Sequence, residues 1–293
     1  IEWVQKANTK DRHSKSININ DASAIIGARR LIKDSTEIEI IRQACAISAQ
    51  AHIAAMKAVR PKMNEQMLES IYQYEFSKRG GRFTAYTPIV AGGENACVLH
   101  YIKNDEVLND GDLVLVDAGC EYKMYASDIT RTYPVSGKFS PEQKAIYEIV
   151  YEANQACIEA VKIGNDIMQV QEISERIILQ GLIDLKILKG DLNDLYENNS
   201  HKDFYMHKVG HWLGLDVHDV GSYVENDNYT KFREGMITTI EPGIYISSNL
   251  NVDEKWKGIG VRIEDDILVT EKGNENLTSL VPSEINEIEK LMS

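Results

Sequence analysis

Basic residues are in short supply: 32 Lys and Arg stand against 45 Asp and Glu, for a formal net charge of −13. A surface of that sign attracts neither nucleic acid nor an anionic membrane face. Cysteine is equally sparse. Cys45, Cys97, Cys120 and Cys157 are dispersed with no C-x-x-C pair, which excludes a disulfide scaffold and fits a reduced, cytoplasmic setting. No apolar run approaches the roughly 18 residues of a membrane span, and no signal peptide stands out. No low-complexity tract or flexible linker interrupts residues 36–293, so this stretch reads as one domain, long enough to bury a substantial core. The chain opens at Ile1 rather than methionine, and we expect a preceding segment. Residues 1–34, polar and without a clear period, read as the remnant of a linker or of a preceding N-terminal domain.

What is present is strongly patterned. Thr36 and Glu39 fit a capping box that opens a helix from Thr36 to about Val59. Ile38, Ile41, Cys45, Ala49 and Met56 keep helical spacing along it, and Pro61 ends it. A second helix covers about Glu65 to Lys78, before Gly80-Gly81. Strand-like segments lie at Ile89-Val90 and Cys97–Tyr101, and Asn109-Asp110-Gly111 reads as a hairpin-type turn into the strand Leu113–Asp117. Ser140-Pro141 opens a helix to about Lys162, and another spans Ile167 to Gln180. The last third is strand-rich, with runs at Met236–Ile240, Gly243–Ile246 and Val261–Val269.

Two stretches echo each other. Gly111-Asp-Leu-Val-Leu-Val-Asp117-Ala-Gly119 resembles Gly235-Met-Ile-Thr-Thr-Ile-Glu241-Pro-Gly243 in the spacing of glycines around an acid. Two helices precede each stretch, and a second acid-bearing segment follows each, with Asp128 or Glu264. The pattern predicts two similar α+β halves whose acids converge at the junction.

Asp117 and Asp128 lie eleven residues apart across a segment that fits a hairpin. Side by side, two carboxylates repel unless one is protonated or a cation intervenes. His211 belongs to an apolar segment with three histidines, His207, His211 and His218, in twelve residues. Glu241 precedes the turn Pro242-Gly243, and Arg262 and Glu264 fall on one face of an alternating run. A lone buried aspartate at a strand end is more often a cap or ion-pair partner, a lone histidine in an apolar segment is more often a satisfied core group, and Glu241 alone is evenly balanced. Five together, four carboxylates and an imidazole, form the donor set of a two-metal hydrolase. Its hard oxygens suit Mn²⁺, Co²⁺, Fe²⁺ or Zn²⁺ rather than a structural zinc site, which would want cysteines.

The segments LVDAGCEYKMYASDITRT (115–132), YMHKVGHWLGLDVHDVG (205–221), TIEPGIY (239–245) and GIGVRIEDD (258–266) resemble those of the bacterial aminopeptidase P family. The likeness covers roughly residues 35–290, and the tryptophan in HWLGLDVHD is closer to that family than to prolidases. It implies an α+β pita-bread fold, a catalytic metallopeptidase domain at 35–293, and two metal ions, Mn²⁺ being the usual activator. By this resemblance Asp117 binds one metal, Asp128 and Glu264 bridge both, and His211 and Glu241 complete the second. A metal-bridging hydroxide is then the nucleophile and Glu241 the general base. The same likeness puts His218 on the tetrahedral intermediate, His100 beside the substrate, and His207, Arg262 and Tyr245 in the pocket. Arg262 is also placed to orient Asp117. Cys120 reads as a small core residue.

The implied activity is X-Pro aminopeptidase, on peptides with proline second, by a homo-oligomer (dimer or tetramer). An X-Pro dipeptidase (prolidase) and a non-catalytic pita-bread binding module are the alternatives. Members of the family carry an N-terminal domain in addition.

Overall fold

Side-chain caps set the starts of the longer helices. The computed structural model describes residues 21–293, so the first part of the expected linker remnant, 1–20, lies outside the described residues. Residues 21–34 are not featureless: helix α1 (Ser23–Leu31) places Leu31 in a core cluster with Val209, Trp212 and Phe232. Helix α2 (Ser35–Ala58) begins one capping box earlier than its sequence suggests. Asp34 accepts from Thr36 N and Glu37 N, and Glu37 closes the box, so the expected Thr36–Glu39 box does not form. Both patterns fit, but a carboxylate makes the stronger, charge-assisted cap at the positive end of the helix dipole. Helix α3 (Glu65–Lys78) is capped by Asn64.

Strands β2 (Ile89–Gly92), β3 (Leu113–Asp117) and β6 (Thr130–Pro134) form an antiparallel sheet in the order β2-β3-β6. The expected strand at Cys97–Tyr101 is absent; a 3-10 turn (Gly93–Cys97) and bends replace it. The reason is Glu65, whose buried carboxylate accepts from Gly92 N, the Asn95 amide, the Tyr101 hydroxyl and Glu106 N. The segment curls around that acceptor instead of pairing as a strand. Asn109–Gly111 does turn, with Gly111 at φ 86°, but β3 pairs with β2 and β6 rather than with a strand across the turn. Between β3 and β6 lies a small nested hairpin, β4 (Cys120–Tyr122) and β5 (Tyr125–Ala126), with β1 (Phe83–Thr84) paired to β4.

The second half repeats the plan. Helices α4 (Pro141–Ala160) and α5 (Ile167–Asp184) precede a short hairpin, β7 (Val224–Glu225) and β8 (Asn228–Tyr229), and then β9 (Ile237–Ile240), β10 (Gly243–Ile246), β11 (Ile259–Arg262), β12 (Asp265–Thr270) and β13 (Gly273–Asn276). Helix α4 stops short of the expected Lys162, and α5 outruns Gln180. The expected single run Val261–Val269 is two strands: β11 pairs with β10, while β12 pairs with β9 and β13. Two side chains cap the carbonyls exposed by that break. Asn154 donates to Ile263 O at 3.2 Å, and the buried Arg131 donates to Glu264 O at 2.7 Å and to Asp265 at 2.8 Å. Asp117 lies opposite Thr130 in the first sheet, and Ile240 opposite Asp265 in the second. The predicted duplication is thus present as two α+β halves, each pairing its two acid-flanked strands antiparallel, with the register offset between them.

Candidate active site

The acids stand where strands end. Asp117 closes β3, Asp128 precedes β6, Glu241 lies between β9 and β10, and Glu264 lies between β11 and β12. There the side chains leave the pleat and meet. Two glycines allow the close approach. A Cβ on Gly119 would lie 1.7 Å from Ser127 O, and one on Gly210 would lie 1.9 Å from Thr239 O, so neither position accepts a side chain without the backbone shifting. Through Gly210 the His211 segment runs along β9, with Thr239 N donating to His211 O at 2.9 Å and Glu241 N donating to Val209 O at 2.8 Å.

All five expected ligands line one cleft of about 390 Å³, together with His100, His207, His218 and Arg262. Tyr245 is buried behind it. The side-chain donor atoms of Asp128, His211 and Glu264 lie within 4.8 Å of one another. His211 Nε2 stands 3.4 Å from Asp128 Oδ2 and 3.5 Å from Glu241 Oε1. The other ring nitrogen, Nδ1, lies 3.1 Å from Trp212 O, and a proton there directs the Nε2 lone pair into the cluster. Thr130 donates to Glu264 at 2.6 Å, and Arg262 Nη2 donates to Asp117 at 2.6 Å.

Electrostatically the cluster is short of positive charge. Burial, then the Asp117 charge, raises Asp128 above the usual carboxylate range. Burial raises Glu264 well above it, with Asp128 and Glu241 adding to the effect. Burial pushes Glu241 up to about 7. Burial disfavours a charged His211, but its bond to Asp128 and the Glu241 charge prevail and raise it to about 9. Buried acids that hold protons so firmly, around an oriented imidazole nitrogen, suit divalent cations, which would displace those protons.

The substrate-side residues divide into two kinds. Arg262 Nη1 donates to the Tyr245 oxygen at 3.1 Å, and Tyr245 OH lies 2.8 Å from His207 Nε2. His207 Nδ1 lies 2.8 Å from Lys208 O, so both its nitrogens are engaged within the protein although its ring lines the cleft. His100 and His218 are exposed to the cleft, and His218 meets the His211 ring edge-on at 4.3 Å. Cys120 is buried, its Sγ 3.5 Å from Ala44 O, as a core residue should be.

Sequence reading missed several participants. Tyr86 places its hydroxyl 2.6 Å from Asp117 and 2.5 Å from Asp128, from an irregular segment with no periodic signal. Asp266 accepts from Asp128 N at 2.9 Å and so joins the two halves. Thr130 and Arg131 were within reach, because strand alternation after Asp128 sends one toward the cluster and the other behind it.

Residues 39–271 match the profile of Metallopeptidase family M24. The chain belongs to that family. The M24 chain is 54% identical to the Xaa-Pro aminopeptidase of Haemophilus influenzae, over 94% of its own length and 64% of that protein's. Among solved structures it superposes on the Pseudomonas aeruginosa aminopeptidase PepP with a TM-score of 0.95 at 47% identity, covering 99% of this chain and 66% of that one. The zinc-substituted aminopeptidase P of Escherichia coli, in complex with product, gives 0.90 at 48% identity, covering 93% and 62%. The fold is the α+β pita-bread architecture of those structures. This M24 chain spans somewhat less than two thirds of the length of these proteins.

Proposed function

We propose that this chain is an X-Pro aminopeptidase, releasing the N-terminal residue of peptides with proline in second position. The observation that carries this reading is the convergence of Asp117, Asp128, His211, Glu241 and Glu264 on a single cleft that His100, His207 and His218 also line. The likeness to the Haemophilus enzyme supports the substrate class. The five ligand residues would hold two divalent ions, Mn²⁺ by preference, with Co²⁺, Fe²⁺ or Zn²⁺ as alternatives. Such a pair, when bound, lowers the pKa of water and polarises a carbonyl. Asp128 is the natural shared ligand: Oδ1 reaches the Tyr86 hydroxyl that also meets Asp117, and Oδ2 faces His211.

Glu241 accepts the proton of the attacking water and passes it to the leaving prolyl nitrogen. His218 donates to the oxygen that becomes tetrahedral, and His100 contacts the substrate. Arg262 holds Asp117 in place, and Tyr245 and His207 continue that chain of bonds. An X–Pro bond has no N–H, and none of these roles requires one. We read the catalytic unit as 35–293. The setting we propose is cytoplasmic, as a dimer or tetramer, without nucleic-acid or membrane partners. No described helix is long and apolar enough to cross a membrane.

The test is hydrolysis by metal-stripped protein, with and without Mn²⁺, of an X-Pro-Y tripeptide, an X-Pro dipeptide and a Met-Ala peptide. Mn²⁺-dependent cleavage of the tripeptide alone is expected. Cleavage of the dipeptide alone would make the protein a prolidase. No cleavage and no metal bound would make it a non-catalytic binding module.

A further inference from the structure

The loop carrying His218 is weakly held on its own account: Leu215, Asp216, His218 and Val220 are all exposed. Its anchor is Asp219, which is buried and gripped from outside the loop. Lys33 Nζ donates to Asp219 Oδ2 at 3.2 Å, with both side chains 1% exposed. Arg30 donates to Asp219 Oδ1 and, at 2.7 Å, to Asp216. Backbone contacts follow the same line. Lys33 N donates to Gly235 O at 2.9 Å, Asp219 N donates to Trp212 O at 2.9 Å, and a Cβ on Gly221 would lie 3.0 Å from Leu31 Cδ1. Both cations come from α1 or the two residues after it, ahead of the catalytic unit.

Stability alone does not explain a fully buried lysine–aspartate pair, since well-packed apolar side chains of similar volume do as well or better. Directionality is what such a pair adds. It holds Asp219 in one orientation, and Asp219 lines the wide cavity of about 650 Å³ that His218, His211 and Glu241 also line.

We propose that Lys33 is a positioning residue: its pair with Asp219 fixes His218 and couples the segment ahead of residue 34 to the active cleft. This rests on the X-Pro aminopeptidase reading. In that reaction the tether acts on the turnover step, by keeping the imidazole where the oxygen becomes tetrahedral, rather than on metal loading.

The experiment uses the full chain with Lys33→Met, Asp219→Asn and the double variant, which leaves no unpaired buried charge if Lys33→Met alone fails to fold. Amide hydrogen exchange across 212–221 should speed up by about tenfold or more, with 237–246 still protected. On an X-Pro-Y tripeptide kcat should fall about tenfold while KM and metal content change little, the scale set by small misplacements of a reacting group. In a His218→Ala background the Lys33 change should add no further loss. Unchanged exchange at 212–221, or full additivity with His218→Ala, overturns the proposal. If the parent protein with Mn²⁺ cleaves no X-Pro peptide, the aminopeptidase reading falls, and the exchange data alone decide whether the tether exists.

Discussion

The Tyr86 phenol oxygen and Asp128 Oδ1 are 2.5 Å apart, and the same oxygen is 2.6 Å from Asp117. A hydroxyl has one proton to donate. In the metal-free chain it therefore serves one carboxylate, and the other must find a proton or a cation. Burial and the two acids push the titration of Tyr86 well above its ordinary range, so it remains a donor at any working pH.

Tyr86→Phe should leave the fold intact and weaken metal affinity or turnover by about 10–100-fold, the usual scale for losing a group that orients a ligand. Metal titration and kcat on a tripeptide measure this. Wild-type values for both would show that Tyr86 merely packs.

Asp128→Asn should abolish metal loading, because an amide replaces the carboxylate that faces both sides of the cluster. Metal analysis of the purified variant decides the matter. Two full equivalents per chain would end its role as shared ligand.

Glu241→Gln should cut turnover by about 10²-fold or more, the lower end of what a positioned base contributes, and weaken one metal site. A near-normal kcat would remove Glu241 as the base.

Metal stabilisation should grow with pH. In the metal-free fold Glu241 is raised from 4.5 to about 7, and Asp128 and Glu264 are also raised. A carboxyl with a raised folded pKa keeps its proton after the unfolded chain has released it, so stability falls as pH climbs through that window. His211, raised from 6.5 to about 9, adds stability below 6.5 that is lost as pH rises through 9. Both trends run the same way. His52, buried and depressed to about 3, runs the other way, but it cancels when Mn²⁺-loaded and stripped protein are compared at one pH. The Tm gap should be wider at pH 7.5 than at pH 5.5, and an equal gap would contradict the assignment.

Glu65→Ala should destabilise the chain by about 3 kcal/mol, since Gly92 N, Glu106 N and the Tyr101 hydroxyl lose a common buried acceptor. Urea unfolding gives the number. A change below about 1 kcal/mol would mean that water replaces the carboxylate.

The duplicated halves, and the four acids that the structure gathers with His211 in one cleft, were legible because glycine and acid spacing is written locally in the chain. So were the four longest helices, each of which opens at a side-chain cap. The break at Ile263-Glu264 was not. The alternation through Val261–Glu264 is the same whether the strand continues or changes sheets, and only Asn154 and Arg131, more than a hundred residues away, decide between the two. Tyr86 and Glu65 were hidden for a related reason: a tyrosine in a loop and a glutamate in the first turn of a helix are commonplace until the partner is known. The helix Ser23–Leu31 was missed because its contacts, too, are with residues far along the chain.

Asp117, Asp128, Glu241 and Glu264 stand at strand ends or between strands, where no backbone ladder depends on their identity. Each can be exchanged for a neutral residue without unzipping a sheet. Exchange of Asp128, Glu241 or Glu264 would relieve a buried charge, whereas Asp117 balances the buried Arg262. The architecture is therefore expected to outlive the chemistry: a descendant that loses Asp128, Glu241 and Glu264 gains stability and keeps its outline. Resemblance of shape is then weak testimony about what such a chain does. The presence of three carboxylates that cost the fold stability is much stronger testimony, because nothing in the packing calls for them.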